Sequence, residues 1–245
     1  LWNIDLTLVD VARVSRDAYA EAFVRATGRR LVALPQLAGA SDSEIFFESL
    51  ALNEGMPGDD QRQPADGELL ARYSAELAAA FGARSDLLVQ RGRALPGAAE
   101  ALAALARVPG VIQTVLTGTI KQNAACKLRA FGLDRYLDPD IGGFGSDVYP
   151  KGTQILRSLD LAYEKYRLRL GPDDVVYVAD SIRDVAAAKV AAVRCVGVAS
   201  GRSSAAELKD AGAEPVLEDL SDTRRVVVAV LALGDDPADP PAVTE

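Results

Sequence analysis

The residues best suited to chemistry gather where apolar runs give way to polar turns. Asn3, Asp5 and Thr7 lie in the alternating stretch 1–10, Thr117-Gly118 follows the β-rich run 111–116, and Asp180 and Asp184 follow the run 175–178. The end of a strand is where open α/β sheets place their ligands. Asp180 and Asp184 stand four apart around a strand-to-helix turn. That spacing lets both face one point, close to the free N–H groups of a new helix. Two carboxylates aimed at one point repel unless a cation lies between them. The plainer alternative is that Asp180 caps the helix and Asp184 is surface.

Composition narrows the possibilities. The chain has 245 residues, 49% hydrophobic, and no His at all. Without His there is no Ser-His-Asp or Cys-His catalysis and no His-ligated zinc. Cys126 and Cys195 are isolated in sequence, which fits core thiols in a reducing compartment and no structural zinc site. Acid–base work then falls to carboxylates, and a bound metal would be a hard ion such as Mg²⁺. The net charge of −8 argues against a nucleic-acid partner, although a small phosphorylated ligand needs only a local cation. The longest apolar runs, such as 226–233, are too short to span a bilayer, and no signal-peptide pattern is visible. The absence of an initiator Met predicts a start upstream of Leu1. A cytoplasmic location and a monomer or homodimer are expected.

The elements that must position these residues alternate in type. Trp2, Ile4, Leu6 and Leu8 alternate with polar residues, which predicts a buried strand. Residues 14–27 read as a helix with Ser15 as its N-cap and Gly28 as its stop. Ser41 and Glu44 form a capping box for a second helix, 55–67 reads as a loop, and 68–81 as a third helix. Thereafter helices are predicted at 96–105, 120–131, 153–168, 182–192, 203–211 and 221–231. Strands are predicted at 111–116, 175–178, 195–198 and 215–217, and a short strand and loop over 136–145. This β-α alternation predicts a Rossmann-like parallel sheet core, residues 1–12 and 92–233, with an all-helical insert at 13–91 and a disordered tail at 234–245. The run Gly142-Gly-Phe-Gly145 lacks the dinucleotide fingerprint and reads as a loop.

Asn3-Ile-Asp5-Leu-Thr7, Thr117 after a strand, a Lys before a helix and Asp180-Ser-x-x-Asp184 resemble the four ordered motifs of the haloacid dehalogenase-like superfamily. The first motif there is D-x-D-G-T. The resemblance spans nearly the whole chain, with the helical insert matching a small α-helical cap and 201–222 matching phosphoglycolate-phosphatase-like members. It implies a Mg²⁺-dependent phosphatase acting on a small phosphomonoester through an aspartyl phosphate. By that resemblance Asn3 holds the nucleophile position and Asp5 the acid–base position. Thr117 and Gly118 bind the phosphoryl group, and Lys151 offsets its charge. Lys151 follows Pro150 where the family commonly has Lys before Pro, and Lys165 lies too deep in its helix to compete. Asn3, Asp5 through its carbonyl, Asp180 and, directly or through water, Asp184 would hold Mg²⁺. Ser41 is a candidate ligand contact from the cap, or simply the cap of its own helix.

Three departures bear on activity. An amide at position 3 is a poor nucleophile, because its oxygen is neutral and its nitrogen lone pair is delocalised. Leu6 replaces the usual Gly, and Ala179 replaces the Gly before Asp180. Three explanations follow: a substitution that traps a complex, a natural non-catalytic protein that binds a phosphorylated ligand, or different chemistry through Asp5. A dehalogenase is disfavoured, since it needs the Asp nucleophile and generally lacks the second Asp.

Overall fold

The structure is a computed structural model that describes residues 1–37, 39–53, 66–146 and 150–232. The expected tail and most of the loop expected at 55–67 lie outside the described residues. The elements are β1 (Val9–Asp10), α1 (Ala12–Thr27), α2 (Asp42–Leu52), α3 (Asp66–Gly82), α4 (Ser85–Arg91), β2 (Arg93–Ala94), α5 (Ala98–Leu105), α6 (Lys121–Ala130), α7 (Lys151–Tyr166), β3 (Val176–Ala179), α8 (Ile182–Val190), β4 (Arg194–Val198), α9 (Ala205–Ala211), β5 (Val216–Leu217) and α10 (Thr223–Leu231).

The α/β alternation builds a parallel sheet. Strands β3, β4 and β5 pair in that order, all parallel. Trp2 extends the sheet by bridging to Val178 on one side and Val115 on the other, and Leu116 bridges to Gly143 beyond. The ladder is regular: Asn3 N–H donates to the Val178 carbonyl and Leu116 N–H to the Trp2 carbonyl, each at 2.9 Å. The opening stretch thus lies between its neighbours, with Trp2 and Ile4 buried. Full burial of such side chains contributes roughly 1.5–3 kcal/mol each, which fixes the register that aims Asn3 and Asp5.

The opening strand is shorter than its alternation predicts. The backbone turns at Leu6, which adopts φ 61°. A non-glycine residue there costs about 1–2 kcal/mol. The conformation is held by the Leu6 N–H to the Val9 carbonyl at 2.8 Å and by the Ser200 hydroxyl to the Leu6 carbonyl at 2.6 Å. After the turn, β1 pairs antiparallel with β2, so the chain leaves the sheet and returns at neighbouring positions.

Helices α1 to α4 lie between these two strands, and no strand is found among the described residues of that interval. Helix α1 begins at Ala12, earlier than predicted, and its N-cap is Val11 with no side-chain bond. Ser15 is therefore inside the helix rather than capping it. The Ser41–Glu44 capping box forms as predicted. Phe46 stacks on Tyr73 at 4.4 Å and lies near Phe23, tying α2 to α3 and α1. The strand predicted near 136–145 is instead two short 3-10 turns with the single bridge at Gly143. Among the described residues, no helix is long and apolar enough to cross a membrane.

Candidate functional site

A pocket opens at the carboxyl end of the sheet, under the helical segment. Asn3, Asp5, Leu6, Thr117, Gly118, Lys151 and Asp180 line it from the sheet side, and Ser15, Tyr19 and Ala40 from the helical side. Five of the residues singled out by sequence as catalytic, phosphoryl-binding or metal-holding therefore face it together with Gly118: Asn3, Asp5, Thr117, Lys151 and Asp180. Asp184 and Ser41 do not line it.

Asn3 is buried between the other polar groups. Its Nδ2 donates to Asp180 Oδ1 at 2.9 Å and to the Asp5 carbonyl at 3.1 Å. Thr7 Oγ1 donates to the same Asp180 oxygen at 2.9 Å. On the other side, a Cβ at Gly201 would sit 2.0 Å from Asp180 Oδ2, so only glycine lets that loop pass. Burial, with the Asp184 charge adding to it, pushes the Asp180 carboxyl up to about 7 against the opposing bonds from Thr7 and Asn3.

Asp184 is fully buried behind Lys151. Lys151 Nζ donates to Asp184 Oδ1 at 2.6 Å, Tyr177 donates to the same oxygen at 2.8 Å, and Ser181 Oγ donates to Oδ2 at 2.5 Å. Its role is to anchor Lys151, at the first turn of α7, toward the pocket. Asp184 was expected to hold a metal directly or through water; both of its oxygens accept from these donors. Among the described residues no group of three or more Cys, Asp or Glu is arranged to hold a metal. Lys165 is on the surface, bonded to Asp138 and Asp140 at 2.8 Å each, and has no part in the site.

Thr117 is buried, and its Oγ1 accepts from the Thr119 N–H at 3.2 Å. That leaves the hydroxyl proton available to a ligand oxygen. Gly118 packs against the helical segment so closely that a Cβ would meet the Ala40 carbonyl at 2.3 Å.

Three site residues escaped the sequence reading. Lys127 on α6 is buried, and its Nζ bonds Asp5 at 2.9 Å (Oδ1) and 2.7 Å (Oδ2) and the Thr119 hydroxyl at 3.0 Å. Thr119 Oγ1 also donates to Asp5 Oδ2 at 2.9 Å. Both Asp5 oxygens are thus held by donors. The signal was helical period: position 127 falls beside the inward stripe Ile120, Ala124 and Leu128, where a Lys requires a partner.

Asp42 is the second. Ser41, expected as a ligand contact, spends its hydroxyl on Glu44 and Ser43 instead. Its neighbour Asp42 turns inward, accepting from the Ile120 N–H at 2.7 Å and the Tyr19 hydroxyl at 2.6 Å, while its own N–H donates to the Gly118 carbonyl at 2.8 Å. Burial raises its carboxyl pKa above the usual range. These bonds join α1, α2 and the 118–120 loop. Asp42→Ala leaves the Ile120 N–H and the Tyr19 hydroxyl without their acceptor, so a loss of about 2–4 kcal/mol is expected in urea denaturation. A loss below about 1 kcal/mol would refute the role.

Ser15 is the third. It is buried, lines the pocket, and its Oγ has no hydrogen-bond partner among the described residues.

Comparison with known proteins bears on family and fold. A family model described as haloacid dehalogenase-like hydrolase matches residues 1–189, and a second, HAD-hydrolase-like, matches 156–223. No curated protein sequence matches the chain. Among solved structures, a hydrolase from Pseudomonas syringae is 24% identical, with 92% of this chain and 95% of that chain covered and a TM-score of 0.65. CbbY from Rhodobacter sphaeroides in complex with phosphate is 18% identical, with 90% and 93% covered and a TM-score of 0.62. A predicted phosphoglycolate phosphatase from Haemophilus somnus is 19% identical, with 92% and 96% covered and a TM-score of 0.58. At these identities the likeness is one of fold.

Proposed function

Because the chain belongs to the haloacid dehalogenase-like hydrolase family, we propose that its pocket binds a small phosphomonoester and that the aspartyl-phosphate step is lost at position 3. The carrying observation is the Asn3 side chain, whose amide nitrogen bridges Asp180 and the Asp5 carbonyl where the family has an attacking carboxylate. The phosphoryl group would rest against the Thr117 hydroxyl, the Gly118 backbone and the Lys151 ammonium, which is held in place by Asp184. Asp5 cannot substitute as the nucleophile without breaking away from Lys127 and Thr119. Residues 13–91 serve as the cap that covers the ligand, and the compartment is cytoplasmic.

The family's cation is Mg²⁺, and the oxygens present fit it. Asp180 Oδ1 and the Asp5 carbonyl converge on the Asn3 side chain, and half a turn of that amide would present Oδ1 in place of nitrogen. These are hard oxygen donors, with one formal negative charge among the three groups. When bound, the ion would offset charge on the phosphoryl oxygens.

Equilibrium titration with inorganic phosphate tests the reading. Saturable binding to the native protein and about tenfold weaker binding to Thr117→Val are expected, the effect of one hydrogen bond to a charged ligand. Absence of saturable binding to the native protein would overturn it.

A further inference from the structure

The pocket has lining groups that the phosphoryl reading leaves unused. Ser15 is 5% exposed, and its Oγ has no partner among the described residues. A buried hydroxyl left unpaired costs free energy that a ligand would recover. The Asp5 carboxylate lines the same pocket, with its side chain 38% exposed while Lys127 and Thr119 fix it from behind. Val11, Ala12, Leu37 and Ala40 supply apolar walls. Lys151 is the cation among the described lining residues, and it is bonded to Asp184. Arg183, on the surface nearby, packs its stem against Gly39 and does not line the pocket.

We infer that the organic part of the ligand is short, uncharged and hydroxylated, and that Ser15 and Asp5 recognise its hydroxyl groups. This rests on the phosphomonoester reading above and narrows it. An unpartnered hydroxyl can donate or accept, and a fixed carboxylate accepts, so the pair matches a diol. A carboxylate on the ligand would instead meet the Asp5 carboxylate with no uncommitted cation among the described lining residues, a repulsive arrangement. The class is therefore polyol or sugar phosphates rather than phosphorylated carboxylic acids. Lys127 is the positioning residue, because it holds Asp5 facing the ligand.

Calorimetric titration of the native protein and Ser15→Ala with inorganic phosphate, glycerol 3-phosphate and 2-phosphoglycolate tests this. The native protein is expected to bind glycerol 3-phosphate at least about tenfold more tightly than 2-phosphoglycolate. Ser15→Ala should lose about tenfold toward glycerol 3-phosphate, one hydrogen bond's worth, and retain inorganic phosphate binding unchanged, which also shows that it is folded. Equal affinity of the native protein for both esters, or no effect of Ser15→Ala, overturns the inference and leaves the phosphate site standing. Failure of the native protein to bind any of the three overturns both.

Discussion

Replacing Asn3 by Asp is expected to raise phosphomonoesterase turnover at least about a hundredfold over the native protein, since loss of a nucleophile typically costs far more than that. The near-isosteric change supplies a charged oxygen beside Thr117 and Lys151. It also removes the amide hydrogens that now bridge Asp180 and the Asp5 carbonyl. The introduced carboxylate would attack phosphorus as the ester P–O bond breaks, and the departing oxygen would take up a proton. Hydrolysis of the resulting acyl phosphate needs a base to activate water. Asp5 is the nearby candidate, but its oxygens are engaged by Lys127 and Thr119. The variant should therefore accumulate the covalent intermediate, visible as a burst in rapid-quench assays with 4-nitrophenyl phosphate. A variant as slow as the native protein, with no burst, would show that more than position 3 has been lost.

The second large effect is on stability, and it is asymmetric. Lys127 has a side chain 1% exposed, whereas its partner Asp5 is 38% exposed. Asp5→Ala strands an ammonium in the interior, and breaking a buried pair in that way costs about 3–5 kcal/mol. Lys127→Met leaves behind a carboxylate that water can reach, and fills the vacated space with an apolar chain beside Phe81. Its cost is expected at about 1–2 kcal/mol. Adding Lys127→Met to Asp5→Ala should recover part of the loss, because the stranded charge is gone. Urea midpoints for the three variants measure this. Equal costs for the two single changes, or no recovery in the double, would contradict the pairing.

Much of the architecture was legible because the physics behind it is local. The β-α alternation gave the parallel sheet, and the Ser41–Glu44 spacing gave a capping box that forms as expected. The ordered polar strand ends brought Asn3, Asp5, Thr117 and Asp180 to one pocket, and the start of α7 brought Lys151 there. What alternation could not reveal was where the first strand stops. Leu6 fits the buried phase of the pattern, yet it forms a left-handed turn held by a hydroxyl from distant Ser200. The same limit applies to Asp184, whose spacing suits a ligand but whose oxygens are taken by Lys151, Tyr177 and Ser181.

The residues missed share a cause. Lys127, Asp42 and Ser15 are polar side chains on the buried faces of helices, and each is explained by tertiary surroundings that only folding brings near. Lys127 finds Asp5, far away in sequence, and Asp42 finds Tyr19 and the Ile120 N–H. Ser15 was read as a cap because it follows Val14 in a plausible start, whereas α1 begins three residues earlier. A polar residue on an inward helical stripe asks for a partner, and where none is found among the described residues, as at Ser15, a ligand is the natural one.

The account rests on a pocket that holds a phosphomonoester without cleaving it. Titrating the native protein with glycerol 3-phosphate, and assaying the same samples for released inorganic phosphate, tests that claim most directly. Saturable binding with no release above the protein-free blank is predicted. Release at a rate matching Asn3→Asp, or no saturable binding at all, would contradict it.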